Sequence, residues 1–580
     1  MADIINIQNY TDALRNTGYK NVESAIAEIV DNSLEADAKD VLIICSLDFS
    51  TGRKVVNEIA ILDNGIGMNK DTLEKCLVIG ESTRRKRKGM GRFGVGLPQA
   101  SLHVCPNVEV FSWQSNDSIR KVVLDVGKIK SGIQKEIEGS SEEQIPDNYL
   151  TYFKDYEHLG KKIDFTKSGT LVVWNNCDRL KPKKVGSLFE RFKFLLGRKF
   201  RYFIHQRSHY IGLTVNGTTQ QDESLRPNDP LCLMDDNILM GDPTDPKRVK
   251  KKGESIFELW ENGDICGTVN LPVKYSDLES NEIKESNVEI KFSWAKEVFH
   301  FAGGECEIGK FLRKNVGISI IRAKREIDFS KFDFFSEVNK PQHRWWGCEI
   351  RFEPELDEVF GVANNKQHVE LFELEEEEYA EEELKPIWFL LNKIVGNEIK
   401  QIFKKLEARR KGLRTKTKTG GKLPEEAIVE AVEGKNPTIT ASFHNKENTS
   451  QAELFELGKK RLIDAGNPNP SEGDVKNALV PPVKLEFRDL GDTSAFVDIS
   501  SKMGNCWLTI NTGSVFYRDL YSKIEEEDES VQRAFNLILM AFARAEDEAF
   551  NNDVLYEAFQ DVREQWGIKL RKYLKTDFKA

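Results

Sequence analysis

A carboxylate and an amide lie one helical turn apart near the start of the chain. Glu28 and Asn32 are four residues apart in the segment 22–34, whose apolar residues recur at the spacing of one helix face. Their side chains therefore share a face, where a carboxylate can orient a water molecule and an amide oxygen can bind a hard cation such as Mg²⁺. Taken alone, the pair is also compatible with an ordinary solvated helix face.

A second group of residues follows a predicted strand, 58–62. The hexapeptide DNGIGM at 63–68 begins with Asp63. An aspartate at the end of a buried strand can accept a hydrogen bond from an exocyclic amine such as that of adenine, and glycines allow backbone and ligand to approach closely. On its own, the segment is equally explained by an Asn-Gly turn.

A third group is the glycine-rich octapeptide GMGRFGVG at 89–96, which precedes a predicted helix beginning at Leu97. Glycine-rich backbone at a helix N-terminus offers N–H groups to phosphate. The segment lacks the Gly-Lys-Ser/Thr ending of a P-loop, and no dinucleotide-binding GxGxxG follows a strand. A flexible loop is the alternative for this segment alone.

The elements around these groups alternate between helices and strands in an α+β pattern, with helices on one face of a mixed sheet. A further helix over 182–206 is expected to link two domains, and a second α/β unit follows it. The segment 370–411 predicts one long helix, acidic at its start and basic at its end, which suits the helix dipole. The predicted strands are 41–47, 58–62, 107–113, 120–126, 169–175, 255–259, 268–274, 287–293, 317–322 and 349–352, and the other early helix is 70–79.

The composition of 412–473, rich in Gly, Lys, Thr, Asn and Pro, predicts a flexible linker with a short helix near 451–465. A small α/β module is expected after it, with strands at 483–487, 495–499 and 506–511 and helices at 530–551 and 553–574.

The chain of 580 residues is too long for one core. The predicted domains are 1–180, 181–411, 412–482 and 483–580.

The composition indicates a globular protein, with 39% hydrophobic and 31% charged residues and a formal charge of −10. No apolar run reaches the length of a membrane span, and no signal peptide is expected at the N-terminus. The nine cysteines include no C-x-x-C pair, which disfavours a zinc site or a disulfide framework. These features predict a cytoplasmic protein with reduced thiols.

The three groups together resemble the GHKL superfamily of gyrase, the large heat-shock chaperone, histidine kinases and MutL. Residues 27–38, AEIVDNSLEADA, are similar to its N-box, and DNGIGM and GMGRFGVG are similar to its next two boxes, in the family's order. The resemblance implies a Bergerat-type ATP-binding α/β sandwich, with ATP and Mg²⁺ as ligands and ATP hydrolysis as the activity.

The resemblance also assigns roles. Glu28 matches the general base and Asn32 the Mg²⁺ ligand, and Asp63 matches the aspartate that reads adenine. The tripeptide SGT at 168–170 matches a later box, whose Thr170 helps bind adenine through water. The other predicted nucleotide-binding residues are Gly65, Gly67, Met68, Gly91, Arg92, Phe93, Gly94, Val95 and Gly96.

Within the superfamily, the chain most resembles a shorter, prokaryotic-looking MORC-type ATPase over residues 1–400. The tetrapeptide NNKQ at 364–367 is similar to the loop by which an S5-like transducer domain sends a lysine to the γ-phosphate, which makes Lys366 the predicted phosphate-neutralising residue. No MORC zinc finger is possible from these cysteines. The MutL lid signature and a phospho-accepting histidine before Glu28 are missing as well.

The MORC resemblance implies that ATP closes two N-terminal domains into a homodimeric clamp on DNA, in genome maintenance or in anti-phage defence. Three basic runs, 84–88, 247–252 and 404–422, are candidate contacts to DNA phosphates without sequence preference. Each run alone is equally well explained as a solvated loop. A chaperone-like ATPase with a protein client bound by the C-terminal module, and an ATP-state sensor that recruits a partner protein, remain as alternatives.

Overall fold

The structure is a computed structural model of the 580-residue chain. None of its described helices is long and apolar enough to cross a membrane. The residues that the structure describes are 7–16, 19–49, 54–80, 96–115, 118–154, 156–240, 255–263, 265–277, 280, 282–296, 299–300, 307–336, 340–362, 368–379, 384–418, 421–433, 439–527 and 529–577.

The N-terminal part is built on a mixed sheet that has eight strands among the described residues, in the order β10-β9-β1-β2-β8-β3-β4-β5. The strands are β1 Asp40–Asp48, β2 Val55–Asp63, β3 Asn107–Trp113, β4 Arg120–Asp125, β5 Ser141–Glu142, β8 Gly169–Asn175, β9 Tyr210–Val215 and β10 Thr218–Ser224, and β6 Tyr156–His158 and β7 Lys161–Ile163 form a separate hairpin. The helices are α1 Ile7–Asn16, α2 Val22–Glu35, α3 Lys70–Lys75, α4 Gly96–Val104, α5 Val126–Lys130, α6 Asp147–Leu150, α7 Val185–Lys199 and α8 Arg201–Ile204.

Both faces of this sheet are covered. Alternate residues of each strand point to opposite sides, and each set packs against its own layer. Ile43 and Ile61 pack with the helices, in a core that includes seven of the 14 residues of α2. Leu42 and Leu62 point the other way and pack against aromatic residues of the segment 145–165. The sequence predicted helices on one face only, so this second covering layer is a difference from the prediction.

A second mixed sheet follows, with the order β11-β15-β18-β16-β17 and with β14 also paired to β15. It lies with the first sheet in one compact unit, made of residues 1–294, 316–336 and 346–397. Its strands and the neighbouring hairpin are β11 Phe257–Leu259, β12 Glu261–Asn262, β13 Ile265–Cys266, β14 Thr268–Ser276, β15 Ile283–Ala295, β16 Ile318–Arg322, β17 Arg325–Ser330 and β18 Trp346–Phe352.

The long helix begins later than the sequence predicted. It spans Ile387–Lys418, and the acidic residues that were expected in its first turn precede it. The cause is Pro386, which disfavours helical backbone in the residue before it but is tolerated where a helix begins. The predicted match between those acidic residues and the helix dipole is therefore wrong.

The segment expected to be a flexible linker is largely helical. Besides the predicted helix, found at Gln451–Asp464, the structure has helices at Pro424–Glu433, Ala441–Asn448 and Glu472–Leu479. Their hydrogen bonds explain the difference: Thr440, Ser450 and Ser471 each cap the helix that follows. Thr440 is one of the threonines on which the linker prediction rested, and in the structure it caps a helix.

The C-terminal residues form a sheet of the described strands β19 Val483–Arg488, β21 Cys506–Asn511 and β20 Val497–Ser500, with β21 in the centre. It belongs to a second compact unit of residues 295–315, 337–345 and 398–580. The remaining described α-helices are Glu307–Leu312, Ser522–Glu527, Glu529–Glu548 and Asp553–Asp577, and Tyr517–Tyr521 is a π-helix. The mixed α and β content agrees with the predicted α+β class, whereas the four-domain division stays a prediction.

Candidate functional site

Glu28 lies in the middle of α2 and is only 7% exposed. The start of α4 approaches it closely: a Cβ atom on Gly96 would lie 2.0 Å from Glu28 Oε1. Only glycine therefore fits at position 96 without displacing the carboxylate. The structure thus brings together the first and last residues of the predicted phosphate site, Glu28 and Gly96.

Asn32 is exposed one turn further along α2, on a helix whose other residues are mostly buried. The helix is fixed at its start by Asn21, whose side chain accepts a hydrogen bond from Ser24 N at 2.8 Å. An exposed amide beside a buried carboxylate is compatible with the predicted Mg²⁺ ligand, because Mg²⁺ keeps several waters and takes few protein ligands.

Asp63 ends β2 and is buried. Its Oδ2 accepts a hydrogen bond from Ser33 Oγ at 2.8 Å, and its Oδ1 accepts one from Gly65 N at 2.9 Å. Burial raises the pKa of Asp63 to about 6, and the hydrogen bonds from Gly65, Ser33 and the Thr170 backbone oppose this rise. The carboxylate is consequently oriented by these three donors and retains lone pairs for a further donor such as an adenine amine.

The glycines after Asp63 lie against neighbouring backbone. Gly67 has a φ of 70°, and a Cβ atom there would lie 2.0 Å from Trp113 O. A Cβ atom on Gly65 would lie 2.7 Å from Ala36 O, at the end of α2. Both positions require glycine, which explains the spacing of the DNGIGM segment.

Thr170 lies on β8 directly between Asp63 of β2 and Ser112 of β3. Its hydroxyl is 3.1 Å from Ser112 Oγ, which also accepts a hydrogen bond from Met68 N at 2.8 Å. The structure therefore connects Thr170 to Met68 through one buried serine. Asp63, Met68 and Thr170 form a single hydrogen-bonded group at the end of the sheet.

Several predicted residues lie outside the described part of the chain. They are Lys366 and the lid residues Gly91, Arg92, Phe93, Gly94 and Val95. Two of the three basic runs, 84–88 and 247–252, lie outside it as well. The roles of all these residues stay predictions.

Sequence reasoning missed Ser33 and Ser112, the two hydroxyls that hold this group together. Ser33 directly follows Asn32 in the sequence, and its Oγ also lies 3.1 Å from Ile29 O, one turn earlier on the helix. Ser112 had no local signal, since its partners come from strands and loops 44 to 58 residues away.

The side-chain and backbone groups of this arrangement are of the kinds that bind a nucleotide. Asp63 is a buried carboxylate held by hydrogen bonds from Ser33 and Gly65, which suits recognition of an amine. Gly96 places backbone rather than a side chain beside the Glu28 carboxylate. For Mg²⁺, the residue that would hold the ion is Asn32, through its amide oxygen. Another cluster with metal-ligand spacing, His205, Asp235 and Asp236, includes none of the predicted ATP-site residues.

Comparison with known proteins supports an ATP-binding domain in the N-terminal part of the chain. Residues 19–159 match the family described as histidine kinase-, DNA gyrase B- and HSP90-like ATPase. The match supports the GHKL superfamily for this part of the chain, and with it ATP binding and ATPase activity. The MORC-type subfamily and the particular arrangement of Bergerat and S5-like domains remain predictions.

A sequence search of curated proteins finds no match. Among solved structures, the chain is similar to one titled as the crystal structure of the N-terminal domain of a DNA repair protein. The similarity has a TM-score of 0.39 and 13% identity, and it covers 70% of this chain and 99% of that one.

Proposed function

We propose that this protein is a Mg²⁺-dependent, MORC-like ATPase in which ATP closes the N-terminal domains of two copies into a clamp on DNA. The observation that carries the catalytic part is the buried Glu28 against Gly96, on a helix that also contacts Asp63 through Ser33. Genome maintenance and defence against foreign DNA are the roles that this activity would suit.

In the proposed reaction, Asp63 binds the adenine amine and Thr170 supports it through water. Glu28 orients the attacking water and takes up its proton as the oxygen bonds to the γ-phosphorus, while the bond from that phosphorus to the β–γ bridging oxygen breaks and ADP leaves. Asn32 would hold Mg²⁺ through its amide oxygen, and the ion would supply neutralisation of the negative charge on the phosphate oxygens. Lys366 and the lid backbone are the proposed further donors to the γ-phosphate.

The DNA part of the proposal rests on the basic runs. In the run that is partly described, Lys404 and Lys405 are exposed on the long helix, whereas the neighbouring Ile402 and Leu406 are buried. Exposed cations on a fixed helix suit phosphate contacts that do not read sequence.

The catalytic assignment is tested by Glu28→Gln, which keeps the size of the side chain. We expect the rate of ATP hydrolysis to fall by about a hundredfold or more while ATP still binds. Glu35→Gln, the same change at the end of the same helix, serves as the control and should hydrolyse ATP normally. A Glu28→Gln variant with an unchanged rate would refute the assigned base.

The clamp is tested by measuring ATPase rate and DNA affinity across salt concentrations, with Lys404→Ala/Lys405→Ala against the exposed control Lys274→Ala. We expect DNA to stimulate hydrolysis, and we expect the paired substitution to reduce the salt dependence of binding. Molecular mass measured with a non-hydrolysable ATP analogue should double. A monomer that does not bind DNA, and whose ATPase rate rises with unfolded protein clients, would favour the chaperone-like alternative.

A further inference from the structure

Asp31 is an acidic residue in the helix of the ATP site to which the proposed reaction gives no role. It lies on α2 between Glu28 and Asn32 and is 1% exposed, so its charge needs a partner. That partner is Arg325 on β17 of the second sheet. Arg325 Nε donates to Asp31 Oδ1 at 3.1 Å, and Arg325 Nη2 lies 2.8 Å from Oδ2.

Arg325 is itself in a firmly held strand. The next residue, Glu326, accepts hydrogen bonds from Arg198 Nε at 2.7 Å, Arg201 Nη1 at 3.0 Å and Ser319 Oγ at 2.7 Å. These buried, charge-assisted bonds join β17 to β16 and to helices α7 and α8. The partner of Asp31 therefore has a fixed position in the second sheet.

A second ion pair holds the start of α2. Glu23 pairs with Arg191 of α7, whose Nη2 donates to Glu23 Oε2 at 3.1 Å. Glu23 and Asp31 are eight residues apart, about 12 Å along a helix, and Glu28 lies between them. The two pairs together fix both the position of α2 and its rotation about its own axis.

Tyr19 is affected by the charges of both Arg325 and the predicted general base, Glu28. The pKa of Tyr19 lies well above its usual value because of burial first and the charge of Glu28 second, while Arg325 opposes the rise. Tyr19 Oη is also 3.5 Å from Gly96 O, on the backbone that faces Glu28. The charges of Glu28 and Arg325 therefore shift the pKa of Tyr19 in opposite directions.

We propose that Arg325 is a positioning residue for ATP hydrolysis, which acts through Asp31 to fix the turn of α2 that presents Glu28 and Asn32. This inference rests on the proposed ATPase activity. Arg325 has no contact with ATP in this scheme. Its effect is on the orientation of the attacking water, because small displacements of a catalytic group are costly to the reaction step.

The test is Arg325→Lys, which keeps the positive charge but removes the planar fork that can engage both carboxylate oxygens. We expect kcat to fall by about tenfold or more, with KM for ATP changed by less than about twofold. We also expect faster amide hydrogen exchange in residues 22–35 of the folded protein, because α2 loses one of its two ties.

The matched control is Arg322→Lys on the neighbouring strand β16. Arg322 makes a similar buried pair with Asp357, with Nε–Oδ1 at 2.6 Å and Nη2–Oδ2 at 2.8 Å, rather than with α2. This control should lower the melting temperature by a similar amount, with kcat and exchange in residues 22–35 unchanged. Equal loss of kcat in both variants would overturn the positioning role.

Hydrogen exchange judges the inference independently of turnover. If the wild-type protein fails to hydrolyse ATP, the proposed function is refuted. Faster exchange of residues 22–35 in Arg325→Lys but not in Arg322→Lys would still show that the Arg325–Asp31 pair holds α2. Unchanged exchange in that variant would overturn it. Should Arg325→Lys fail to fold, Asp31→Asn, which removes the charge at nearly constant volume, takes its place with the same expected results.

Discussion

At the scale of single residues, Asp63 combines two properties that affect ATP binding in opposite directions. Its burial raises its pKa to about 6, which favours the protonated form, while Ser33 and Gly65 donate hydrogen bonds that favour the charged form. An adenine amine needs an acceptor, so the carboxylate is the form that should bind ATP. Nucleotide affinity is therefore expected to depend on pH near neutrality.

ATP affinity should weaken as the pH falls through about 6, because Asp63 takes up a proton in that range. Ser33→Ala removes a hydrogen bond that lowers the Asp63 pKa, so its midpoint should move to higher pH. The phosphates of ATP titrate identically in both proteins, and the difference between the two midpoints reports Asp63 alone. Calorimetric titrations from pH 5 to 8 would measure it, and coincident midpoints would contradict the prediction.

Gly96→Ala should impair hydrolysis, because the added Cβ would lie 2.0 Å from Glu28 Oε1 and must push the carboxylate aside. We expect kcat to fall by about tenfold or more. Gly186→Ala is the comparison: nothing lies within 4 Å of a Cβ at that helical position, so it should leave kcat unchanged and stabilise the protein by up to about 1 kcal/mol. Steady-state kinetics of the two variants would measure kcat, and equal kcat values in both would contradict the prediction.

At the scale of elements, α2 carries the predicted general base Glu28 and is almost wholly buried. Its position depends on its cap at Asn21 and on charged partners in α7 and β17. Stability and activity should therefore be separable along this one helix, since the cap affects its start and the ion pair affects its middle.

Asn21→Ala should lower the free energy of unfolding by about 1 kcal/mol, because the N–H of Ser24 loses its acceptor. Asn21→Ser keeps a capping oxygen and should lose much less. Denaturant unfolding of the two variants measures the difference. Equal losses would mean that the cap contributes nothing beyond the size of the side chain.

Local patterns predicted most elements well. The strands 107–113, 169–175 and 506–511 were predicted with their observed ends, and α2 was predicted to within one residue. The sequence also allowed the prediction that Asp63 lies at the end of a strand. The Ser112 and Arg325 contacts were not, because they join residues 44 to 294 positions apart, and sequence spacing carries no information about such pairs.

At the scale of the whole molecule, residues predicted to be a linker belong to the core of the C-terminal unit. Glu426, on the helix Pro424–Glu433, forms a fully buried ion pair with Lys484 of β19, with Oε2 3.0 Å from Nζ. Its Oε1 accepts a hydrogen bond from Leu485 N at 2.9 Å. The helix is therefore part of this sheet's packing.

Lys484→Met should destabilise the C-terminal unit by about 3 kcal/mol at pH 7, because Glu426 is left buried without its counter-charge. Burial already raises the pKa of Glu426, and loss of Lys484 raises it further. The folded protein then binds a proton more tightly than the unfolded chain, so the deficit should shrink as the pH falls towards 5.

Thermal unfolding at pH 7 and pH 5 measures that deficit. The control is Lys476→Met, whose partner Glu472 is solvent-exposed and contributes little. A Lys484→Met deficit that is the same at both pH values would show that Glu426 is not the source of the instability.

The pairing of β1 with β9 has a practical consequence for dissecting the protein. Because β9 comes from residues 210–215, a fragment that stops at residue 180 leaves β1 with an unprotected row of N–H and C=O groups. Such open edges recruit strands from other chains. A fragment ending at 180 should therefore aggregate on expression, whereas one that extends past Ser224 includes the strands that cover this edge.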